Sequence, residues 1–214
     1  MYKLYTMLRS GNSYKVRMLL ARLDIRYRLI ETDIFKGETR TPDFLMKNPE
    51  GHVPVLELPD RRYLSESNAI LVYLARTNPA AGLLPSNPAA EARCIEWMNW
   101  LASNVHAMSY GQIWRPRRFI DDERQFPALK AKGEQSVREQ YAYIESLLAD
   151  GREWAVPGGY TVVDPYLLVF YRWGQRIGLD MKNAYPAWTH LTERVVARSA
   201  VQRALAKEQI KIFL

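Results

Sequence analysis

The sequence predicts a chain in two parts: a mixed α/β unit over residues 1–77, a linker over 78–88, and an all-helical unit over 89–214. Three observations carry that division. Strand-like alternation is confined to the first third, where it interleaves with helical periodicity. A stretch rich in Pro, Asn and Gly, from Asn78-Pro79 to Asn87-Pro88, closes that region. Beyond it the apolar residues recur only at helical spacing.

In order, Lys3 to Met7 alternates as a short strand, and Ser10-Gly11-Asn12-Ser13 turns the chain and caps a helix. Val16, Leu19, Leu20 and Leu23 then recur at helical spacing, and residues 27–32 read as a second strand parallel to the first. After a polar loop from Asp33 to Arg40, Thr41-Pro42-Asp43 starts a helix that Asn48-Pro49-Glu50-Gly51 stops early. Residues 53–58 form a strand, 59–62 a turn, and Tyr63-Leu64 a brief return strand. Ser65 is expected to cap the helix carrying Ile70, Leu71, Tyr73 and Leu74. The order is βαβ, a helix, then ββα, which makes a mixed four-stranded sheet.

In the second part a long helix runs from about Ala89 to Trp114, with Ile95, Met98, Leu101, Val105 and Met108 expected along one buried face. A second helix carries Val137, Tyr141, Ile144 and Leu148. A third begins near Thr161, and shorter ones follow Pro186 and Ser199. Together they predict a helical bundle.

Composition narrows the function. With 214 residues, 48% hydrophobic and 25% charged, the chain can bury sizeable cores. No apolar run spans a bilayer, and no secretory apolar core follows Met1. One cysteine, Cys94, excludes an internal disulfide framework and, packed near Ile95 and Met98, reads as a small hydrophobe. A cytoplasmic location follows as an expectation. The net charge of +7 is scattered, its densest run being Arg115-Pro116-Arg117-Arg118, so nucleic acid is not the expected partner.

The residues at the joints are more specific. Asn48-Pro-Glu-Gly-His-Val-Pro-Val-Leu-Glu57 and Leu64-Ser-Glu-Ser-Asn-Ala-Ile70 closely resemble two glutathione-binding motifs of the glutathione transferase superfamily. Thr161-Val-Val-Asp164 resembles the capping box of that family's helical domain, and Ile95 to His106 resembles the long-helix segment of bacterial beta-class members. The resemblance covers essentially the whole chain. It implies a thioredoxin-like first domain that binds glutathione as co-substrate without a metal, a helical domain that receives the second substrate, and a homodimer.

Residue by residue, the resemblance implies a cis Val53–Pro54 peptide, with Val53 offering its backbone to the cysteinyl part of glutathione by strand addition. The γ-glutamyl carboxylate would sit on Ser67 and the helix N-terminus, which holds anions well, and Glu66 would take the α-ammonium. Lys36, His52 and Arg40 are the candidates for the glycyl carboxylate. Ser10 stands where theta-like members carry the thiol-activating serine, and Asn12 resembles the asparagine of nu-like, disulfide-reducing members. Beta-class enzymes carry a cysteine in this loop; here the matching position is Gly11. Ser13 and Tyr14 remain alternatives for activating the thiol. His106 matches a histidine facing the beta-class active site, as a candidate catalytic group. Tyr110, Trp114, Arg115 and Trp173 are candidates to line the second-substrate pocket, and the arginines at 115, 117 and 118 hint at an anionic substrate.

The leading expectation is conjugation of the glutathione thiolate to an electrophilic, mostly hydrophobic substrate. Glutathione-dependent disulfide or peroxide reduction is one alternative, and a non-catalytic glutathione-binding or ligand-binding scaffold is another.

Overall fold

The computed structural model describes residues 1–8 and 10–214. Four strands, β1 (Tyr2–Thr6), β2 (Tyr27–Glu31), β3 (Val55–Glu57) and β4 (Tyr63–Leu64), form one sheet in the order β2-β1-β3-β4. β1 and β2 are parallel, with Leu4 opposite Leu29; β3 is antiparallel to both β1 and β4, with Leu56 opposite Leu4 and Leu64. The parallel pair needs a crossover, and α1 (Gly11–Arg22) supplies it. Residues 13–20 of α1 are all buried, so this helix is covered on every side rather than along one stripe. α2 (Pro42–Leu45) is the short helix the Thr41 signal predicts, with Phe44 N–H donating to the Thr41 hydroxyl. α3 (Ser67–Arg76) follows β4 and packs Ile70, Leu71 and Leu74 into the core.

α3 corrects an expectation. Its cap is Glu66, not Ser65, and no side chain caps it. Glu66 has φ 62° and ψ 110°, outside both the helical and the ordinary extended regions.

The second half is helical among the described residues. α4 (Pro88–Trp100) continues without a break through a π-helical stretch, Leu101–Tyr110, into α5 (Gly111–Trp114). α6 (Phe126–Leu148) buries Val137, Tyr141, Ile144 and Leu148 as predicted. α7 (Val163–Arg176) is the central helix, with eleven of its fourteen residues buried, and α8 (Met181–Ala184), α9 (Pro186–Val196) and α10 (Ser199–Lys207) surround it and α1.

The buried face of the long helix also differs from expectation. Cys94, Trp97, Met98, Leu101 and Val105 are inside, whereas Ile95 is 38% and Met108 49% exposed. Ile95 lies one position past the true stripe, and the wide turn accounts for Met108. In the π stretch hydrogen bonds span five residues, as from Gly111 N–H to His106 C=O, so the next inward positions after Val105 are Ser109 and Tyr110. Cys94 is fully buried, and burial pushes its thiol up to about 11, in keeping with an inert packing role. No helix among the described residues is long and apolar enough to cross a membrane, and no cluster of acidic, His and Cys side chains there is arranged to hold a metal ion.

Candidate functional site

Two helix N-termini from the first half, those of α1 and α3, meet the π-helical stretch and α7 of the second. At α1, Ser10 is the cap and its hydroxyl accepts from Ser13 N–H at 3.4 Å. Gly11 is obligatory here: a Cβ would lie 2.5 Å from the Trp173 ring and 2.7 Å from Val169. Position 11 therefore has no room for any side chain, because α7 packs directly on the backbone. Ser13 and Tyr14 are buried and turned into the core, so Ser10 and Asn12 are the partly open polar side chains of this turn.

From Asn12 the site crosses into the second half. The Asn12 amide lies 3.5 Å from His106 Nδ1, and Arg115 Nη2 lies 2.9 Å from His106 Nε2. The His106 ring packs 5.3 Å from Trp173, which stands 4.8 Å edge-on to Trp114, and the Arg176 guanidinium covers Trp114 at 5.2 Å. Burial pushes the His106 imidazole down to about 3, with Arg115, Lys15, Arg118 and His52 pushing the same way. Tyr110 stands behind this wall, not on it. It is wholly buried, and its hydroxyl meets that of Tyr141 at 2.6 Å, so it offers no surface to a substrate. Arg117 and Arg118 are both exposed, but Arg117 is committed to Glu123 and to the face of Phe126, and the half-buried Arg115 to His106.

At α3, Ser67 is 7% exposed and Glu66 is open to solvent at the strained cap. A non-glycine residue held at positive φ and away from the left-handed basin costs on the order of 1–3 kcal/mol, and such strain concentrates at ligand sites. The Val53–Pro54 peptide is cis, as the resemblance implied. His52 is exposed beside it; burial, then Arg118 and Arg40, push its imidazole below the usual range. Arg40 is anchored by donating to Glu50 C=O at 3.1 Å. Lys36 stands farther out, 75% exposed and 3.9 Å from Asp33, so of the three cations proposed for one carboxylate it is the least fixed.

Sequence reasoning missed Lys15. It is completely buried one helical turn below the α1 cap, with Nζ donating to Asn68 Oδ1 at 2.7 Å and lying 3.2 Å from the centre of the Tyr166 ring. Asn68 in turn donates to Met98 C=O at 2.9 Å. This chain ties α1, α3, α4 and α7 together directly under the α3 N-terminus. Burial pushes the ammonium well below the usual lysine range, and Glu66 pulls it partly back. The available signal was the position itself: Lys15 falls next to Val16 on a helix whose neighbours are apolar on both sides.

A family sequence profile described as the glutathione S-transferase N-terminal domain matches residues 1–76. Glutathione S-transferase GstA of Escherichia coli is 29% identical over 86% of this chain and 88% of its own. Among solved structures, a glutathione transferase homologue from Sulfitobacter with bound glutathione superposes with a TM-score of 0.88 at 29% identity, covering 97% of this chain and 98% of that one. A possible glutathione S-transferase from Rhodopseudomonas palustris is 34% identical with a TM-score of 0.78, covering 93% and 95%. With the sheet, the cis peptide and the open α3 N-terminus already in place, these likenesses show that the chain belongs to the glutathione transferase superfamily.

Proposed function

We propose that this chain is a glutathione transferase, a cytoplasmic homodimer that joins the glutathione thiolate to an electrophilic, mostly hydrophobic second substrate. The observation that carries the reading is the contact of Asn12 with His106. It brings the α1 N-terminus, where a thiolate is stabilised, against the half-buried Trp114, backed by the buried Trp173, where an apolar electrophile can lie.

In this reading residues 1–77 hold glutathione. The uncapped N–H groups of α3 and the Ser67 hydroxyl take the γ-glutamyl carboxylate, and Glu66 takes the α-ammonium. The Val53 backbone pairs with the cysteinyl unit, while Arg40 and His52, with Lys36 beyond them, offer positive charge to the glycyl carboxylate. Ser10 donates its hydroxyl hydrogen to the sulfur. Lowering a thiol pKa by two units takes about 2.7 kcal/mol of preferential anion stabilisation, within reach of hydroxyl and amide donors at a helix N-terminus. The thiolate then forms a bond to the electrophilic carbon, and the leaving group departs with its electron pair. The chain supplies proximity, orientation and anion stabilisation, and the nucleophile is the tripeptide's own sulfur.

The test is a pH titration of thiolate absorbance with glutathione saturating the protein. A thiol pKa clearly below that of free glutathione, restored towards the free value by Ser10→Ala, is the expected result. Tight binding with an unshifted thiol would favour the non-catalytic scaffold, and turnover of a small disulfide without turnover of a chloro-nitroaromatic would favour the reductase.

A further inference from the structure

We propose that His106 and Arg115 are positioning residues that hold the Asn12 amide with its carbonyl towards His106 and its NH2 towards the glutathione sulfur, making Asn12 a second thiolate donor beside Ser10. The inference rests on the reading above for the place of the sulfur, but the orientation follows from this chain's own hydrogen bonds.

A guanidinium has only N–H groups to offer and keeps its proton in proteins. At 2.9 Å from Arg115 Nη2, His106 Nε2 must present a lone pair. An imidazolium has no lone pair, so His106 is neutral and its single proton sits on Nδ1. The surroundings agree, since burial first and then the Arg115 and Arg118 guanidiniums disfavour a positive charge on His106.

Nδ1–H is therefore a donor, and the group facing it must accept. The group facing it at 3.5 Å is the Asn12 amide. With Nδ2 towards the ring, two donors would oppose each other; with the amide turned over, Oδ1 accepts. The two ends of a side-chain amide have the same shape, and only their hydrogen-bond partners tell them apart. Once Oδ1 is spent on His106, the two amide hydrogens point away from the imidazole, over the first turn of α1. Donation then runs one way, from Arg115 to His106 to Asn12 to the anion, and each bond polarises the next. Ser10 already accepts from Ser13 N–H, which leaves its own hydrogen for the same sulfur. The sequence reading made His106 a catalytic group; here it touches neither sulfur nor substrate and acts through Asn12.

Nitrogen-15 NMR of labelled histidine in the free, full-length protein reads the tautomer directly, with His52 and His190 as the other imidazoles. His106 is expected as the Nδ1–H form, and an Nε2–H form overturns the proposal. The thiol titration then separates the two ring nitrogens. His106→Asn keeps a donor where Nδ1 stood, and His106→Gln places one where Nε2 stood. The expected bound-thiol pKa is close to wild type in His106→Asn and higher by about one unit in His106→Gln and in Asn12→Ala. The dissociation constant for glutathione should change by less than about threefold, as befits loss of a single thiolate contact. A His106→Gln protein with the wild-type thiol pKa overturns the relay. Wild-type protein that binds glutathione without shifting its thiol refutes the conjugating reading instead, and the tautomer, measured without glutathione, still decides the orientation of Asn12.

Discussion

The N-termini of α3 and α7 begin in opposite ways. At α7 the Asp164 carboxylate is fully buried and accepts from Ala155 N–H at 2.9 Å, Thr161 N–H at 2.7 Å and the Thr161 hydroxyl at 3.3 Å. The N–H groups that lead into α7 are answered by this carboxylate, and the Thr161 hydroxyl accepts from Val163 N–H at 3.3 Å, so the helix start is closed architecture. At α3 no side chain caps the helix, and Glu66 is held at φ 62° with its carboxylate in solvent. An uncapped N-terminus keeps its partial positive charge for something outside the chain. One helix start spends its hydrogen bonds on stability, and the other keeps them, with local strain, for a ligand. The same donor chemistry thus serves two ends, and the partner already present in the fold separates them.

The largest effect that would break this contrast is at α7. Asp164→Ala leaves two backbone N–H groups and a hydroxyl buried without their acceptor. Each such loss costs about 1–3 kcal/mol, partly relieved by relaxation, so a destabilisation of about 3 kcal/mol is expected. Urea unfolding measures it, and the bound-thiol pKa should stay unchanged in the protein that remains folded. Lost turnover at wild-type stability would mean that Asp164 belongs to the site after all.

Glu66→Gly is the complementary change, with a smaller effect of a different kind. Glycine adopts φ 62° freely, which offsets the extra freedom it brings to the unfolded chain. The melting temperature should hold or rise, while glutathione binds about tenfold more weakly for want of the carboxylate, a difference of about 1.4 kcal/mol. A protein that melts lower yet binds glutathione as before would mark Glu66 as a structural cap.

Most of the architecture was legible because it rests on period and punctuation. The strands of residues 2–31, the Thr41 start of α2, the stripe of α6 and the Thr161/Asp164 box all follow from local chemistry, and the chain folds them so. Three features were not legible, each for a stated physical reason. Ser65 has the better capping side chain, yet the backbone enters α3 through a strained Glu66, a choice made by the fold around it. Ile95 and Met108 fit a regular helix, but the five-residue hydrogen bonds from Leu101 to Tyr110 rotate the later positions. Lys15 carries the residue type most often found in water, and only the packing of Tyr166 and Asn68 around it shows that it lies inside. In the candidate site, the motif residues of the first half were readable from resemblance. The orientation of Arg115 onto His106 and the retreat of Tyr110 into the core depend on helix packing and were not.

A gradual effect, spread over a slope with pH, sharpens the contrast because two buried groups pull in opposite directions. Burial pushes Asp164 up to about 6, from 3.8 in the unfolded chain, so between those values the folded form binds more protons and Asp164 makes stability fall as pH rises. His106 is pushed down to about 3, from 6.5 unfolded, so between those values the unfolded form binds more protons and His106 makes stability rise with pH. Subtracting the stability curve of His106→Asn, which does not titrate there but keeps Asp164, removes the first contribution and leaves the second. The wild type should lose stability relative to the variant as pH falls from about 6.5 towards 3, by less than the 1.4 kcal/mol per pH unit of one whole proton, roughly. Parallel curves would mean that His106 is as easily protonated folded as unfolded. Nε2 would then carry a hydrogen opposite the Arg115 guanidinium, and the neutral, outward-facing arrangement at α1 would have to be abandoned while the closed one at α7 stood.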